Sequence, residues 1–480
     1  MTSFIDHIQK ANLIDGKRRD SAKKLPVLDK YTGEILAEVP LADEDQTAAA
    51  VESAVKTFDK FRFSSAEKRA EILQALRDGI ARNADIFTAL IVKEAGKPLS
   101  YAKNEIRRAL DNLDTGIRET LNFAGEMVPM DYLNGKGKTA YTLRVPYGPV
   151  LGISPFNFPL NLALHKIIPA VGSGSPVILK PAPQTPLTMF LLADIIQEAG
   201  IADGVIQIVL TDNALAERMV TDDRLKILSF TGSDAVGWYL KSVAGRKKVF
   251  LEMGGNAAAF IDETADLQRA AKKLAYGAFL YAGQICISTQ RIYVHQKRFE
   301  EFTEIFLEET ARIPSGNPAD ENTINGPLIS RKELNRIRDW TEEAVEEGAE
   351  ILHGGEILDE RHNIFTPTVF TRTRPDMKIV SDEAFAPVVI VEPVENVREG
   401  VGQINLSRYG LQASIYSDSQ KNILYFIRHV DAGGIMVNEI PGFRIDSMPY
   451  GGMKDSGLGR EGAKYALREY TQEKLVVIQD

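Results

Sequence analysis

One cysteine, Cys286, in 480 residues leaves no intramolecular disulfide to brace the fold, and a reducing cytoplasm is the compartment such a chain suits. The six histidines are scattered without the close spacing of metal ligands, so no metal site is expected. No apolar run approaches the roughly 18 uninterrupted residues of a membrane helix. The most apolar stretch, Ile153 to Leu179, is broken by His165, Lys166 and several prolines and glycines. Met1 to Lys17 lacks the apolar core of a secretory signal. A basic excess is missing too: 57 Lys and Arg face 66 Asp and Glu, a formal charge of −9. That balance argues against nucleic acid or an anionic membrane as partner, yet allows a local basic pocket for a small anion. Internal repeats and low-complexity tracts are absent, which excludes a solenoid.

What is present is an ordinary globular composition, 44% hydrophobic and 26% charged, long enough for two or three packed domains. The first third reads as helical. Ser64 and Glu67 have capping-box spacing ahead of the apolar face Ile72, Leu73, Leu76 and Ile80. Gly96 and Pro98 stop the next helix, and Ile106, Leu110, Leu113, Ile117 and Leu121 form a third stripe with Arg107 and Arg108 beside it. From Pro149 short β-rich runs alternate with helical patterns. The runs are Val150–Ile153, Val177–Leu179, Val205–Leu210, Ile227–Phe230 and Val249–Leu251; Leu160–Ala170, Leu187–Ala199 and Asp234–Val243 lie between them. Such alternation predicts an α/β fold with a parallel, doubly wound sheet, whose ligands sit beyond the carboxyl ends of the strands. The rule points to Ser154–Asn157, Lys180, Thr211–Asn213, Thr231–Ser233 and Glu252.

A second αβ stretch runs from about Thr264 to Gly434, with helices at Leu267–Tyr281 and Phe299–Ile313 and strands at Gln290–Val294, Val388–Val391 and Ala413–Tyr416. Thr139–Val145 and the tail Leu475–Ile478 read as edge strands available to another subunit, which predicts a homodimer or homotetramer.

Taken singly, the reactive candidates are unremarkable. Cys286, flanked by Ile285 and Ile287, resembles a core thiol. Glu252, before Met253-Gly254-Gly255, resembles a capping carboxylate, and Asn157 a turn residue. Together they match a family: the chain resembles the aldehyde dehydrogenase superfamily, nearest its lactaldehyde and non-phosphorylating glyceraldehyde-3-phosphate members. The matching segments occur in the family's order, at Ser154–Pro159, Leu179–Pro186, Phe230–Gly237, Leu251–Gly255, Gly283–Ser288, Glu383–Pro387 and Pro449–Gly462. The separation of 34 residues between Glu252 and Cys286 is also the family's.

The resemblance implies a Rossmann-like cofactor domain (residues 1–122 and 143–252), an α/β catalytic domain (253–435), oligomerisation strands (123–142 and 463–480) and a substrate-tunnel and return segment (436–462). It implies oxidation of an aldehyde to the acid with NAD or NADP. Cys286 would be the nucleophile, Asn157 an oxyanion donor and Glu252 the base that activates water against the thioester. A coenzyme-A-acylating relative would generally lack that carboxylate, and a silent structural protein would not need the triad. Ser154, Pro155, Phe156, Lys180, Gly232, Ser233, Glu383 and Phe385 would hold the cofactor. Gly457-Leu458-Gly459-Arg460-Glu461-Gly462 fits the dinucleotide pattern but follows turn-like sequence rather than a strand, so it is set aside.

Two departures bear on specificity. Pro183 stands where NAD-preferring relatives carry a glutamate, which lowers the barrier to NADP or dual use unless Asp212 points at the ribose. Phe158, Asn161, Leu162 and His165 share one helix face. With Arg444 and Tyr450 they would give the tunnel a polar lining for a small hydroxylated or anionic aldehyde such as lactaldehyde or glycolaldehyde. The aliphatic neighbours of Cys286 weaken a phosphate reading.

Overall fold

All five runs after Pro149 become parallel strands in the computed structural model, which describes residues 3–479. Their spatial order is Ile206–Ile208, Val177–Lys180, Val150–Ile153, Ile227–Thr231, Lys248–Glu252, the doubly wound order with its switch between the third and fourth strands across the sheet. Ser154 and Thr231 leave the sheet side by side at that switch. The sheet is not purely parallel: Asn12–Ile14 and Lys17–Arg19 extend one edge antiparallel, and Gly457–Leu458 pairs antiparallel with Leu251 and Glu252 at the other. Short returning segments thus cover edges that would otherwise present unpaired backbone.

The helices behave as their end signals require. Gly96 takes a left-handed φ of +65° and ends the helix Ala84–Ala95. Ser65, rather than Ser64, caps the helix Ala66–Arg82 by accepting from the Lys68 N–H at 3.1 Å; Ser64 instead donates to the Phe61 carbonyl at the end of the preceding helix. Leu121 does not extend the buried stripe of the helix Leu99–Asn122, since it is 54% exposed. The helix Asn161–Ser173 is buried on every face, between the sheet and the helices Ala66–Arg82, Leu99–Asn122 and Ala463–Glu469. Gly116 permits that packing, because a Cβ there would lie 2.3 Å from the Ile168 side chain.

A second sheet has the order Glu350–His353, Thr368–Thr371, Val388–Val394, Arg291–His295, Ala258–Ile261, Gln412–Tyr416, Gly434–Val437, antiparallel only at its first strand. Its last strand runs beyond the expected limit at 435. The segments expected to seek another subunit pair first with each other: Lys138–Pro146 and Thr471–Gln479 form nine antiparallel pairs, with Met127–Val128 added on the far side. The expected boundary at 142 falls inside this strand, and Ala463–Glu469 is helix rather than oligomerisation strand. Among the described residues no helix is long and apolar enough to cross a membrane.

Candidate active site

Cys286 lies on the loop between the short turn Leu280–Gly283 and the strand Arg291–His295. Tyr281, Ala282 and Gly283 all have left-handed φ, which turns the chain sharply before the cysteine. Only glycine fits the third position, since a Cβ on Gly283 would lie 2.2 Å from the Ala386 carbonyl oxygen. Tyr281 donates to the Ala95 carbonyl at 2.8 Å, and the Gln284 side chain bonds the Tyr281 and Pro327 carbonyls and the Ile329 N–H. A conformation this costly persists because its surroundings hold it.

Asn157 joins this loop to the end of the strand Val150–Ile153. Its amide donates to the Gln284 carbonyl at 3.0 Å, which leaves a second N–H, and its own buried carbonyl oxygen has no partner among the described residues. The Cys286 sulfur lies 3.0 Å from the Tyr450 hydroxyl. Burial pushes the thiol up to about 12, and Glu383 and Glu252 add to that rise while Tyr450 and Arg444 oppose it.

Glu252 ends the strand Lys248–Glu252, buried, with one carboxylate oxygen unpartnered. Burial and the nearby Glu461 carboxylate raise it well above the usual range, against Arg444, Lys166 and Arg460. Gly451 packs so closely that a Cβ would lie 2.9 Å from the Glu252 carboxylate.

The expected cofactor residues gather beyond the carboxyl ends of the first sheet. Lys180 is buried and thereby lowered to about 8. Ser233 begins the helix Asp234–Val243 but makes no side-chain capping bond, so first-turn N–H groups are left for an anion, which fits a dinucleotide pyrophosphate. Glu383 accepts from the Gly255 N–H at 3.1 Å, and burial raises it to about 8. A Cβ at Gly254 would fall 2.1 Å from the Glu383 carboxylate and displace it. Phe385, at φ +46°, meets Phe156 edge-on with ring centroids 5.9 Å apart. Ser154 is buried, its N–H donating to the Lys180 carbonyl at 3.1 Å, and Pro155 is half-buried. Asp212 is already engaged: it caps the helix Asn213–Thr221 through the Leu215 N–H at 3.0 Å and pairs with Lys23 at 3.0 Å.

The expected substrate residues meet in a buried ionic cluster. Asp446 accepts from Arg108 through both guanidinium arms at 2.9 Å, from the Asn161 amide at 3.0 Å, and lies 2.8 Å from His165 Nε2. Arg444 is not a surface charge. Its Nη2 bonds Glu461 at 3.0 Å and lies 3.1 Å from His165, its guanidinium stacks 3.6 Å from the Tyr450 ring centroid, and its buried Nε–H, 3.9 Å from Asp446, has no hydrogen-bond acceptor among the described residues. Lys166 donates to Thr231 at 2.6 Å and pairs with Glu461 at 3.5 Å. Phe158 lies beneath Lys97, whose ammonium is 3.6 Å from the ring centroid and pairs with Glu105. Glu105 in turn accepts from the Leu160 and Asn161 N–H groups at 3.0 and 3.1 Å, supplying the cap that the helix Asn161–Ser173 lacks locally.

Arg108, Lys166, Asp446 and Glu461 escape a reading of the sequence alone. The spacing of Glu105, Arg108 and Asn112, i, i+3 and i+7, is a polar stripe that could have drawn attention to the first. Glu461 sits inside the glycine pattern set aside as a nucleotide motif; the segment is an antiparallel edge strand followed by a carboxylate that enters the site, and Met453–Lys454 before it is a two-residue strand rather than a simple turn.

A parallel-sheet crevice facing a lone cysteine, a buried glutamate and an asparagine defines a class of oxidoreductase. The model of the aldehyde dehydrogenase family matches residues 17–476, and the chain belongs to that family. It is 38% identical over the full length of both chains to a 3-sulfolactaldehyde dehydrogenase of Priestia aryabhattai. Against a lactaldehyde dehydrogenase of Methanococcus maripaludis it is 35% identical over 97% of this chain and 99% of the relative. The solved structure of glyceraldehyde-3-phosphate dehydrogenase GapN from Methanocaldococcus jannaschii, complexed with NADP, superposes with a TM-score of 0.91 at 31% identity, over 96% of this chain and all of that one.

Proposed function

We propose that this protein oxidises a small hydroxylated, anionic aldehyde to its carboxylic acid with NAD or NADP, through a thioester on Cys286. The observation that carries the substrate class is the buried Arg444 Nε–H, which lies 3.9 Å from Asp446 but has no hydrogen-bond acceptor among the described residues, in a cluster where Arg108, Arg444 and Lys166 face Asp446 and Glu461, both held below the usual carboxylate range. Burial and the Glu461 carboxylate raise Glu252, so its ionised form is disfavoured in this cluster. An orphan donor among clustered guanidinium and ammonium groups suits an anionic group on the substrate. Relatives named for sulfolactaldehyde and lactaldehyde support the same class.

In this reading the Cys286 thiolate attacks the aldehyde carbon, and the carbonyl electron pair moves to oxygen. The free N–H of Asn157 and the Cys286 backbone N–H stabilise that oxyanion; one such donor is worth about 2.7–4 kcal/mol. Bound NAD or NADP supplies the hydride acceptor. Glu252, once deprotonated, takes a proton from the water that attacks the thioester, so the hydrolytic step gains with rising pH over a range above that of an ordinary carboxylate. Lys180, the uncapped helix end at Ser233 and Glu383 hold the cofactor. Pro183 removes one expected obstacle to a 2′-phosphate and favours NADP or dual use, although the Asp212 carboxylate still acts on Lys180. Strict NAD dependence would contradict that point. We also infer a homodimer or homotetramer joined along the strand Thr471–Gln479.

Arg444→Met tests the substrate class. The ratio of kcat/KM for sulfolactaldehyde over propanal should fall at least tenfold, because propanal gives the guanidinium nothing to bind. An unchanged ratio in the folded variant would contradict the assignment.

A further inference from the structure

We propose that the Tyr450 hydroxyl is the donor that stabilises the Cys286 thiolate, and that Arg444 stacked on the phenol ring strengthens it. This rests on Cys286 being the nucleophile.

The geometry is specific. The hydroxyl is 3.0 Å from the sulfur, and among the described residues no other hydrogen bond occupies it. The ring is buried, with the Arg444 guanidinium 3.6 Å from its centroid. The Tyr450 backbone is fixed on both sides, its N–H donating to the Glu461 carbonyl at 3.2 Å and its carbonyl accepting from the Glu461 N–H at 2.7 Å. That bridge anchors the Tyr450 backbone beside the glycines Gly451 and Gly452, and the Arg444 guanidinium packs against the ring.

Chemistry makes such a donor necessary. The groups that bear on the sulfur come from several elements: Tyr101 from the helix Leu99–Asn122, Glu252 from its strand end, Glu383 from the loop before Val388–Val394, and Arg444 and Tyr450 from the segment after Gly434–Val437. The two carboxyls disfavour a thiolate, as burial does, while Tyr450 and Arg444 favour it. A cation over an aromatic face draws charge from the ring and makes its O–H a better donor, and a hydrogen bond to an ionised acceptor is roughly twice as strong as one to a neutral acceptor. The phenol itself is held well above its usual range by burial, so it keeps its proton and remains a donor throughout the working pH range. The thiol proton leaves to solvent; none is transferred to Tyr450.

The test is the pH dependence of alkylation of the single cysteine by iodoacetamide, in which the thiolate forms the S–C bond and iodide leaves. It is followed by intact mass in the wild type and in Tyr450→Phe. The apparent thiol pKa should rise by one unit or more, so that alkylation near neutral pH slows about tenfold, and kcat should fall with it while KM for the aldehyde changes less than threefold. A purely space-filling tyrosine would leave the alkylation profile in place, and an unchanged profile in a Tyr450→Phe protein that still binds cofactor overturns the proposal. Should that variant not fold, 3-fluorotyrosine at position 450 keeps the shape and acidifies the phenol: the thiol pKa must then fall, and no shift overturns the proposal. Complete alkylation of the wild type that left aldehyde turnover intact would instead remove Cys286 as the nucleophile, and the proposal with it.

Discussion

Asp446 shows how single residues set the electrostatics of this site. Burial alone would push its carboxyl up, yet the hydrogen bond and charge of His165 and the charges of Arg108 and Arg444 outweigh that and hold it well below its usual value. A carboxyl depressed in the folded state contributes stability above its unfolded pKa of about 3.9, and that contribution is lost as pH falls toward the folded value. Asp446→Asn leaves two arginines facing a neutral amide. Denaturant unfolding at neutral pH should show a loss of about 3–5 kcal/mol, as for other broken buried ion pairs, and part of the acid-side fall in stability should vanish. A loss under 1 kcal/mol would mean that water, not Asp446, neutralises the arginines. Little of this was legible in the sequence. Arg108 and Asp446 are 338 residues apart, and nothing local in either segment names the other. Cys286, Glu252 and Asn157 were legible only as members of a family pattern, because each alone has a commoner structural use.

Elements were more legible than partners. Periodicity located the five central strands to within about two residues, since a strand buried on both faces must be a continuous apolar run. It missed the strands Asn12–Ile14, Lys17–Arg19, Lys24–Leu28 and Ile35–Pro40 ahead of the first long helix, which are short and carry no such run. The edge strands were found but their partner was not, because alternation marks an edge without saying which edge it meets. Thr471–Gln479 pairs with Lys138–Pro146 on one side, while its other side is open and carries Leu475, Val477 and Ile478 at 60, 48 and 47% exposure. An open, apolar edge of nine residues invites a second copy. If the proposed oligomer joins along this edge, Val477→Lys should dissociate it, read as a fall in mass by sedimentation, with the monomer still folded. An unchanged mass would place the subunit contact elsewhere.

At the scale of the whole molecule, the two sheets and the returning C-terminal segment each supply part of one site: Glu252 and Asn157 from the first sheet, Cys286 and Glu383 from loops flanking strands of the second, Arg444, Tyr450 and Glu461 from the return. The doubly wound order points to the proposed cofactor side, but the proposed substrate side is assembled by loops, whose course periodicity does not constrain. The division of labour makes the chemistry separable. If Cys286 carries the acyl group and Glu252 only releases it, Glu252→Gln should form the thioester but fail to hydrolyse it. Rapid mixing of that variant with aldehyde and cofactor, without coenzyme A, should give a burst of reduced cofactor close to one per subunit, then turnover at least a hundredfold slower than wild type, with the acyl adduct on the Cys286 peptide by mass spectrometry. Steady turnover at the wild-type rate, or a burst with no adduct on Cys286, would contradict the account.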